Sequence, residues 1–284
     1  MPEHVRASAA SRVTLIRPRR GWGLEGLTEL WRYRDLLWIL VTRDLKVRYK
    51  QTVVGGLWTI LQPLATMMVF TALFQLLKRV PASDGAPYAV TLLCALLPWQ
   101  LFASSLTQSN DSLVNNQNLV TKVYVPRLLF PITPVLAGLV DFAISFVVLI
   151  AIMAWYGVTP TATVFYLPIF VVFAMATSLA LGLWLSALNA MYRDFRYVLP
   201  FSLQIGFFVS PVVFETTALI PERWQLLYSL NPMVGVIEGF RWVLLGKAQP
   251  PIAPVLVSAL VVSVLLAGGV VYFRRMEKSF ADCV

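Results

Sequence analysis

Apolar residues gather into six long blocks, 53–77, 88–106, 128–156, 164–188, 198–214 and 252–273, each bounded by charges or prolines. A helix rises about 1.5 Å per residue, so about 20 apolar residues cross roughly 30 Å of hydrocarbon. Every block is near or above that length, the fifth being the shortest. The chain is 58% hydrophobic, has a mean hydropathy of +0.72, and only 13% of its residues are charged. That leaves too little polar surface to wrap a soluble core of this size. The pattern predicts an all-α integral membrane protein with six transmembrane helices. Gly55-Gly56 and Pro63 in the first block, Pro98 in the second, and Pro131 and Pro134 in the third predict close helix approach and bends.

The stretch 219–245 behaves differently. It is apolar in two pieces separated by Asn231-Pro232, and the second piece would rise only about 20 Å as a helix. Both of its flanks must lie on one side if the last block is to return the chain across the membrane. A pair of short helices dipping in from outside satisfies both constraints; an external loop covering the bundle is the alternative. Glu238 and Arg241, three residues apart, can pair on one helix face.

Charge sets the expected orientation. The net charge is +9, and eleven of the 23 lysines and arginines precede the first block. Cytoplasmic segments of membrane proteins carry the excess of Lys and Arg, which predicts both termini in the cytoplasm. Residues 27–50 alternate cations (Arg32, Arg34, Arg43, Lys46, Arg48, Lys50) with Trp31, Tyr33, Trp38 and Leu40. That mixture suits one or two helices lying along the lipid headgroups better than a nucleic-acid-binding tail. Residues 1–26 read as a flexible tail with no apolar signal segment, and Arg19-Arg20 lacks the apolar run that a twin-arginine signal needs. Cys94 falls inside a block and Cys283 in the C-terminal tail, so a disulfide is not expected.

The chemistry available is sparse. The single histidine is His4, no G-x-S-x-G is present, and no metal-ligand spacing is found. The nearest approach to a phosphate loop, Gly239 to Lys247, has six residues between its glycines and Ala248 where Ser or Thr would hold magnesium. No cofactor is therefore expected on this chain. A membrane-embedded transferase acting on a lipid-linked sugar would have to use Asp141, Glu215 or Glu238. Asp141, midway along the third block, either lines a pathway or closes an inter-helix hydrogen bond.

Several blocks, in order, carry a resemblance. They are Arg43-Asp44 through Lys50, Leu57-Trp58 with Gln62-Pro63-Leu64, and Leu97-Pro98-Trp99. Asn118 through Pro126-Arg127, Asn189 through Asp194, and Ser210-Pro211-Val212 follow. Leu230-Asn231-Pro232-Met233, Glu238 through Trp242, and Tyr272 through Glu277 complete the set. Together they resemble the ABC-2 type permeases of the polysaccharide-export group, which handle O-antigen, capsule and teichoic acid, with the type V exporter-like fold.

The resemblance implies a half-transporter. Two copies would form a pore, and a separate homodimeric ABC ATPase would hold the ATP and magnesium. The substrate would be a glycan on a polyprenyl pyrophosphate in the bacterial inner membrane. Implied divisions are a tail 1–26, an interface helix 27–50, a transmembrane domain 51–274 with a re-entrant segment near 219–246, and a tail 275–284. The segment with Asn118, Lys122, Tyr124, Pro126 and Arg127 matches a coupling helix that docks on the ATPase. Arg43, Arg48, Arg193 and Arg196 are candidates for the pyrophosphate. Trp58, Phe70, Phe74, Phe207 and Phe208 are candidates for sugar-facing aromatics. Asn231, Pro232, Glu238 and Arg241 belong to the external gate. An ABC-2 exporter of small hydrophobic drugs is the competing reading.

Overall fold

The computed structural model describes residues 31–50, 55–77, 86–122, 125–246 and 249–277, and these form helices with no strand among them. In chain order they are α1 (Arg34–Lys50), α2 (Gly55–Leu76), α3 (Tyr88–Asn115), α4 (Gln117–Lys122) and α5 (Leu129–Trp155). A 3-10 turn (Ala162–Tyr166) leads into α6 (Leu167–Met191), followed by α7 (Phe195–Val209), α8 (Thr216–Leu219), α9 (Glu222–Tyr228), α10 (Pro232–Leu245) and α11 (Ile252–Met276).

Five of these helices, α2, α3, α5, α6 with its leading turn, and α11, are long and apolar enough to cross a membrane. The crossing expected at 198–214 is instead the 15-residue α7. It rises about 22 Å, short of a full bilayer core. It stops because Pro211 follows and the chain turns into an irregular segment at 210–215. The second block also departs from expectation, since α3 runs nine residues beyond its apolar end to Asn115. The extension is polar, yet Ser109, Asn110 and Ser112 in it are buried against neighbouring helices. Tertiary hydrogen bonds hold it: the Ser109 hydroxyl donates to the Pro131 carbonyl (2.8 Å) and the Asn189 amide to the Asn110 carbonyl (2.9 Å).

α3 is the axis of the bundle. It packs along α5 and α6 more extensively than any other pair of helices, with α11 on α6 and α10 wedged among α3, α6 and α11. Contact is close where α3 offers Ser105 and Ser109, one turn apart, to glycines on two partners. A methyl group placed on Gly138 of α5 would sit 2.7 Å from the Ser105 hydroxyl, and one on Gly182 of α6 would sit 3.0 Å from the Ser109 Cβ. Small residues facing small residues let membrane helices gain dispersion where no hydrophobic drive exists between them. By contrast, α2 leans on α3 and α5 by one side only. Leu57, Leu61, Met68, Val69, Leu73 and Leu76 are all exposed along it. Pro63 removes the amide that would bond the Thr59 carbonyl one turn back, and the Ser145 hydroxyl of α5 takes that carbonyl instead (3.2 Å).

One end of the bundle gathers the basic residues. There α4 lays Val120 into a cluster with Leu113 of α3, Phe130 of α5, Leu183, Ala187 and Ala190 of α6, and Phe273 of α11. The helix ends that meet there carry Lys122, Arg127, Arg193, Arg196, Arg274 and Arg275. The segment 239–247, weighed as a phosphate loop, is largely the second half of α10. Gly246 closes that helix in the left-handed region at φ 66°, its amide bonded to the Trp242 carbonyl. Amides committed to a helix cannot cradle phosphate.

Gly182→Val is expected to push α6 off α3 and to cost about 1–3 kcal/mol. A fall in the thermal midpoint of the detergent-solubilised protein checks this, and Gly182→Ala is expected to do less.

Candidate functional site

A cleft of about 920 Å³, mostly apolar but carrying a set of polar side chains, lies between α2, α3, α5 and α7, with Arg48 of α1 at its edge. Amides and hydroxyls line it, notably Gln62 and Thr66 of α2 and Gln100, Ser104, Thr107 and Gln108 of α3, with Trp58, Trp99 and Phe207 as its flat apolar walls. The α3 residues follow a rule. Gln100, Ser104, Thr107, Gln108, Asp111 and Asn115 are spaced by three or four, or adjoin a residue that is, so they form one stripe along the helix. On α3 that stripe faces the clefts, although Asp111 in it also accepts the Asn189 amide of α6 (3.2 Å). The sequence reading missed it, although the period was there to be found once the helix was known to extend to Asn115.

A second cleft of about 440 Å³ opens below the first, between α1, α3 and α5, lined by Arg43, Asp44, Val47, Asp111 and Asn115 among others. Arg48, Thr107 and Gln108 line both. At this junction Arg48 donates to the Asp141 carboxylate and to the Gln108 side-chain carbonyl, and the Tyr49 hydroxyl donates to the other Asp141 oxygen. Asp141 therefore closes an inter-helix bond, α5 to α1, and also faces the cleft. Burial, followed by the carboxylate that accepts its proton, pushes the Tyr49 hydroxyl up to about 12, which keeps it a donor throughout the neutral range. Of the four arginines expected to meet an anion, Arg43 pairs with Asp44 (2.8 Å) and Arg48 with Asp141. Arg193 and Arg196 are exposed at the α6–α7 turn and line neither cleft. No basic cluster brings the four together; the lower cleft sets two arginines against Asp44 and Asp111.

The aromatic candidates divide. Trp58 and Phe207 line the upper cleft; Phe70, Phe74 and Phe208 do not. Phe70 and Phe74 belong to a chain of ring contacts, Tyr88 to Phe74 (5.3 Å), Phe74 to Phe70 (6.5 Å), Phe70 to Phe207 (6.1 Å) and Phe207 to Trp99 (5.9 Å). This chain ties α2 and α7 to α3 beside the cleft. Phe208 is exposed.

At the other end, the irregular segment after α7 has its carbonyls taken by side chains. Arg241, 1% exposed, donates to Val212 (3.0 Å) and Phe214 (2.9 Å), Tyr88 to Val213 (3.0 Å) and Tyr228 to Val209 (2.7 Å). Glu238 faces Arg241 at 3.5 Å and accepts the Thr216 hydroxyl at 2.7 Å. The expected pair exists, and its work is to fix non-helical backbone deep in the bundle. Asn231 caps α10 by accepting the Met233 amide (3.0 Å) and donates to the Ser210 hydroxyl (2.9 Å), with Pro232 at the first helical position. α10 is buried along almost its whole length, so it is part of the core rather than a cover over it.

On α4, Asn118 and Lys122 are exposed while Val120 points inward. Pro126 is partly buried, and Arg127 donates to the Glu277 carbonyl just past α11, an anchoring bond within the chain. Tyr124 lies outside the described residues. Among the described residues no group of three His, Cys, Asp or Glu side chains is placed to hold a metal.

Arg241→Met is expected to destabilise the fold by about 3 kcal/mol, because Glu238 and two carbonyls lose their partner in a dry site. Arg241→Met/Glu238→Met is expected to recover part of that loss, read as thermal midpoints in a double-mutant comparison.

Comparison with known proteins fits this architecture. The chain is 30% identical over 257 residues to the O-antigen export system permease protein RfbA of Myxococcus xanthus, covering 90% of this chain and 98% of that one. An RfbA of Klebsiella pneumoniae is 30% identical over 208 residues, 73% of this chain and 79% of its own length. The polysialic acid transport protein KpsM of Escherichia coli is 24% identical over 204 residues, 70% of this chain and 77% of that one. Residues 35–245, which hold both clefts, α4 and the buried α10, match the family described as ABC-2 type transporter, and the chain belongs to that family.

Proposed function

We propose that this chain is the membrane subunit of an exporter that carries a polysaccharide, presented on a lipid, across the bacterial inner membrane. The upper cleft carries the reading. It places amides, hydroxyls and two tryptophans around one open space within an otherwise apolar bundle. Sugars need that combination, since hydroxyls exchange hydrogen bonds with amides and the apolar faces of sugar rings stack on aromatic side chains. The exported-glycan names of its relatives favour this over a small hydrophobic drug. Two of the three carboxylates open to a transferase are committed: Asp141 to Arg48 and Tyr49, and Glu238 to Arg241 and Thr216.

The basic end of the bundle faces the cytoplasm by the positive-inside rule. α4 is then the contact for a separately encoded ATPase. Its outward side presents Asn118 and Lys122, and its inward Val120 rests on the ends of α3, α5, α6 and α11. A push on α4 reaches the helix that lines the cleft directly. A second copy of this chain covers the one-sided α2 and completes the wall of the path, and α7 with the segment after it makes the sixth, short crossing. The anionic carrier group meets the basic end, where Arg193 and Arg196 are open, while Arg43 and Arg48, in the lower cleft, are partly neutralised.

Loss of the gene is expected to leave full-length lipid-linked glycan inside the cell with none at the surface, measured by surface labelling against whole-cell extraction. Normal surface glycan would overturn the reading. Lys122→Glu is expected to reduce transport-coupled ATP hydrolysis severalfold in the reconstituted complex while leaving membrane insertion intact, through charge reversal at a docking rim.

A further inference from the structure

The two clefts are separated by one set of side chains. Arg48, Thr107 and Gln108 are common to both linings, and the Arg48 guanidinium spans the junction between Asp141 of α5 and Gln108 of α3. Tyr49, the next residue of α1, holds the same carboxylate. Both Arg48 and Asp141 are only partly exposed, 25% and 17%, so their attraction is screened less than that of a surface pair.

We propose that Arg48, with Tyr49, Asp141 and Gln108, is a gate that divides one path into a lower vestibule and an upper chamber. The inference rests on the translocation reading above. Its geometry explains why an ion pair stands in the path. The gripping side chains on one side of the gate belong to the last turn of α1; Arg48 holds Asp141 of α5 and Gln108 of α3, and Tyr49 holds the same Asp141 while also bonding Thr59 of α2. A small shift of α1 away from α5 breaks the bonds to Asp141 and Gln108 together. The gate is therefore operated by α1, a helix with no place in the membrane-spanning bundle and packed chiefly along α5. Asp141 keeps Arg48 seated when α1 is at rest. Gln108, on the polar stripe of α3, gives the seated guanidinium its second fixed partner. A cation alone would be poorly placed between chambers in a membrane, and an internal carboxylate removes the cost of leaving it unpaired.

The test reads passage through the junction and needs no glycan. In a background with Cys94→Ser and Cys283→Ser, a single Thr66→Cys reports on the upper cleft and a single Asn115→Cys on the lower one. Inside-out vesicles are treated with sulfonatoethyl methanethiosulfonate, a charged thiol reagent that does not cross lipid. With the gate intact, Thr66→Cys is expected to react much more slowly than Asn115→Cys. Adding Asp141→Asn or Gln108→Ala is expected to raise the Thr66→Cys rate about fivefold, the population change that follows loss of a partly exposed polar pair. Asn115→Cys is expected to keep its rate. Gln108→Ala carries the test if Asp141→Asn does not give a monodisperse protein. The proposal is overturned if Thr66→Cys and Asn115→Cys react equally fast in the otherwise unchanged chain, or if neither variant changes the ratio. Because labelling is independent of the exported molecule, failure here leaves the glycan reading standing. Failure of the surface-glycan experiment likewise leaves the gate testable.

Discussion

Within hydrocarbon no water is present to satisfy a polar group, so every polar side chain on a membrane helix needs a protein partner or a wet cleft. The structure is arranged around that constraint as it falls on α3. One side of this helix presents Ser105, Ser109 and Asn110 to α5 and α6. The other lines the two clefts with Gln100, Ser104, Thr107, Gln108 and Asp111, of which Gln108 and Asp111 also take partners on α1 and α6. The first set draws the neighbouring helices into close contact. The second cannot face lipid, which is why a cleft exists beside α3 at all.

The same constraint operates at both ends. The last turn of α7 and the segment after it have backbone carbonyls without helical partners; Tyr228 donates to Val209 in the first, and Arg241 and Tyr88 to carbonyls of the second. A fully buried arginine is costly unless it is paired and hydrogen-bonded, and Glu238 with two carbonyls takes the terminal nitrogens of Arg241, while its Nε has no partner among the described residues. At the basic end α4 seats Val120 in an apolar cluster and leaves Asn118 and Lys122 outward. The cleft thus lies between an end pinned by buried hydrogen bonds and the basic end where α4 sits. α2 and α1, each packed against the bundle from one side, flank it, and they are elements that can move without unpacking the core.

The sequence reading and the structure agree where burial follows composition alone. The long apolar blocks became helices. The break at Asn231-Pro232 became a cap and first turn, because an asparagine before a proline has few other uses there. Glu238 and Arg241 paired because residues three apart share a helix face. Disagreement came where a helix is stabilised by partners rather than by its own hydrophobicity. α3 continues through polar residues to Asn115, and α7 ends before its apolar block does. The aromatic candidates were read from residue type, which says nothing about facing; Phe70 and Phe74 turned to ring contacts with other helices, while Trp99 and the glutamines took the cleft.

What the sequence determined by itself is therefore the solvent: hydropathy fixes which segments lie in lipid, and charge asymmetry fixes the end that stays basic. The ordered short motifs carried the family. What only the tertiary structure decided is the pairing of polar groups across distance in the chain. Arg48 meets Asp141 across 93 positions and Gln108 across 60, and no local periodicity encodes either meeting. Local patterns report a residue's own solvent preference, whereas a gate or a cleft is a relation between helices, set by how the whole bundle closes on its polar groups.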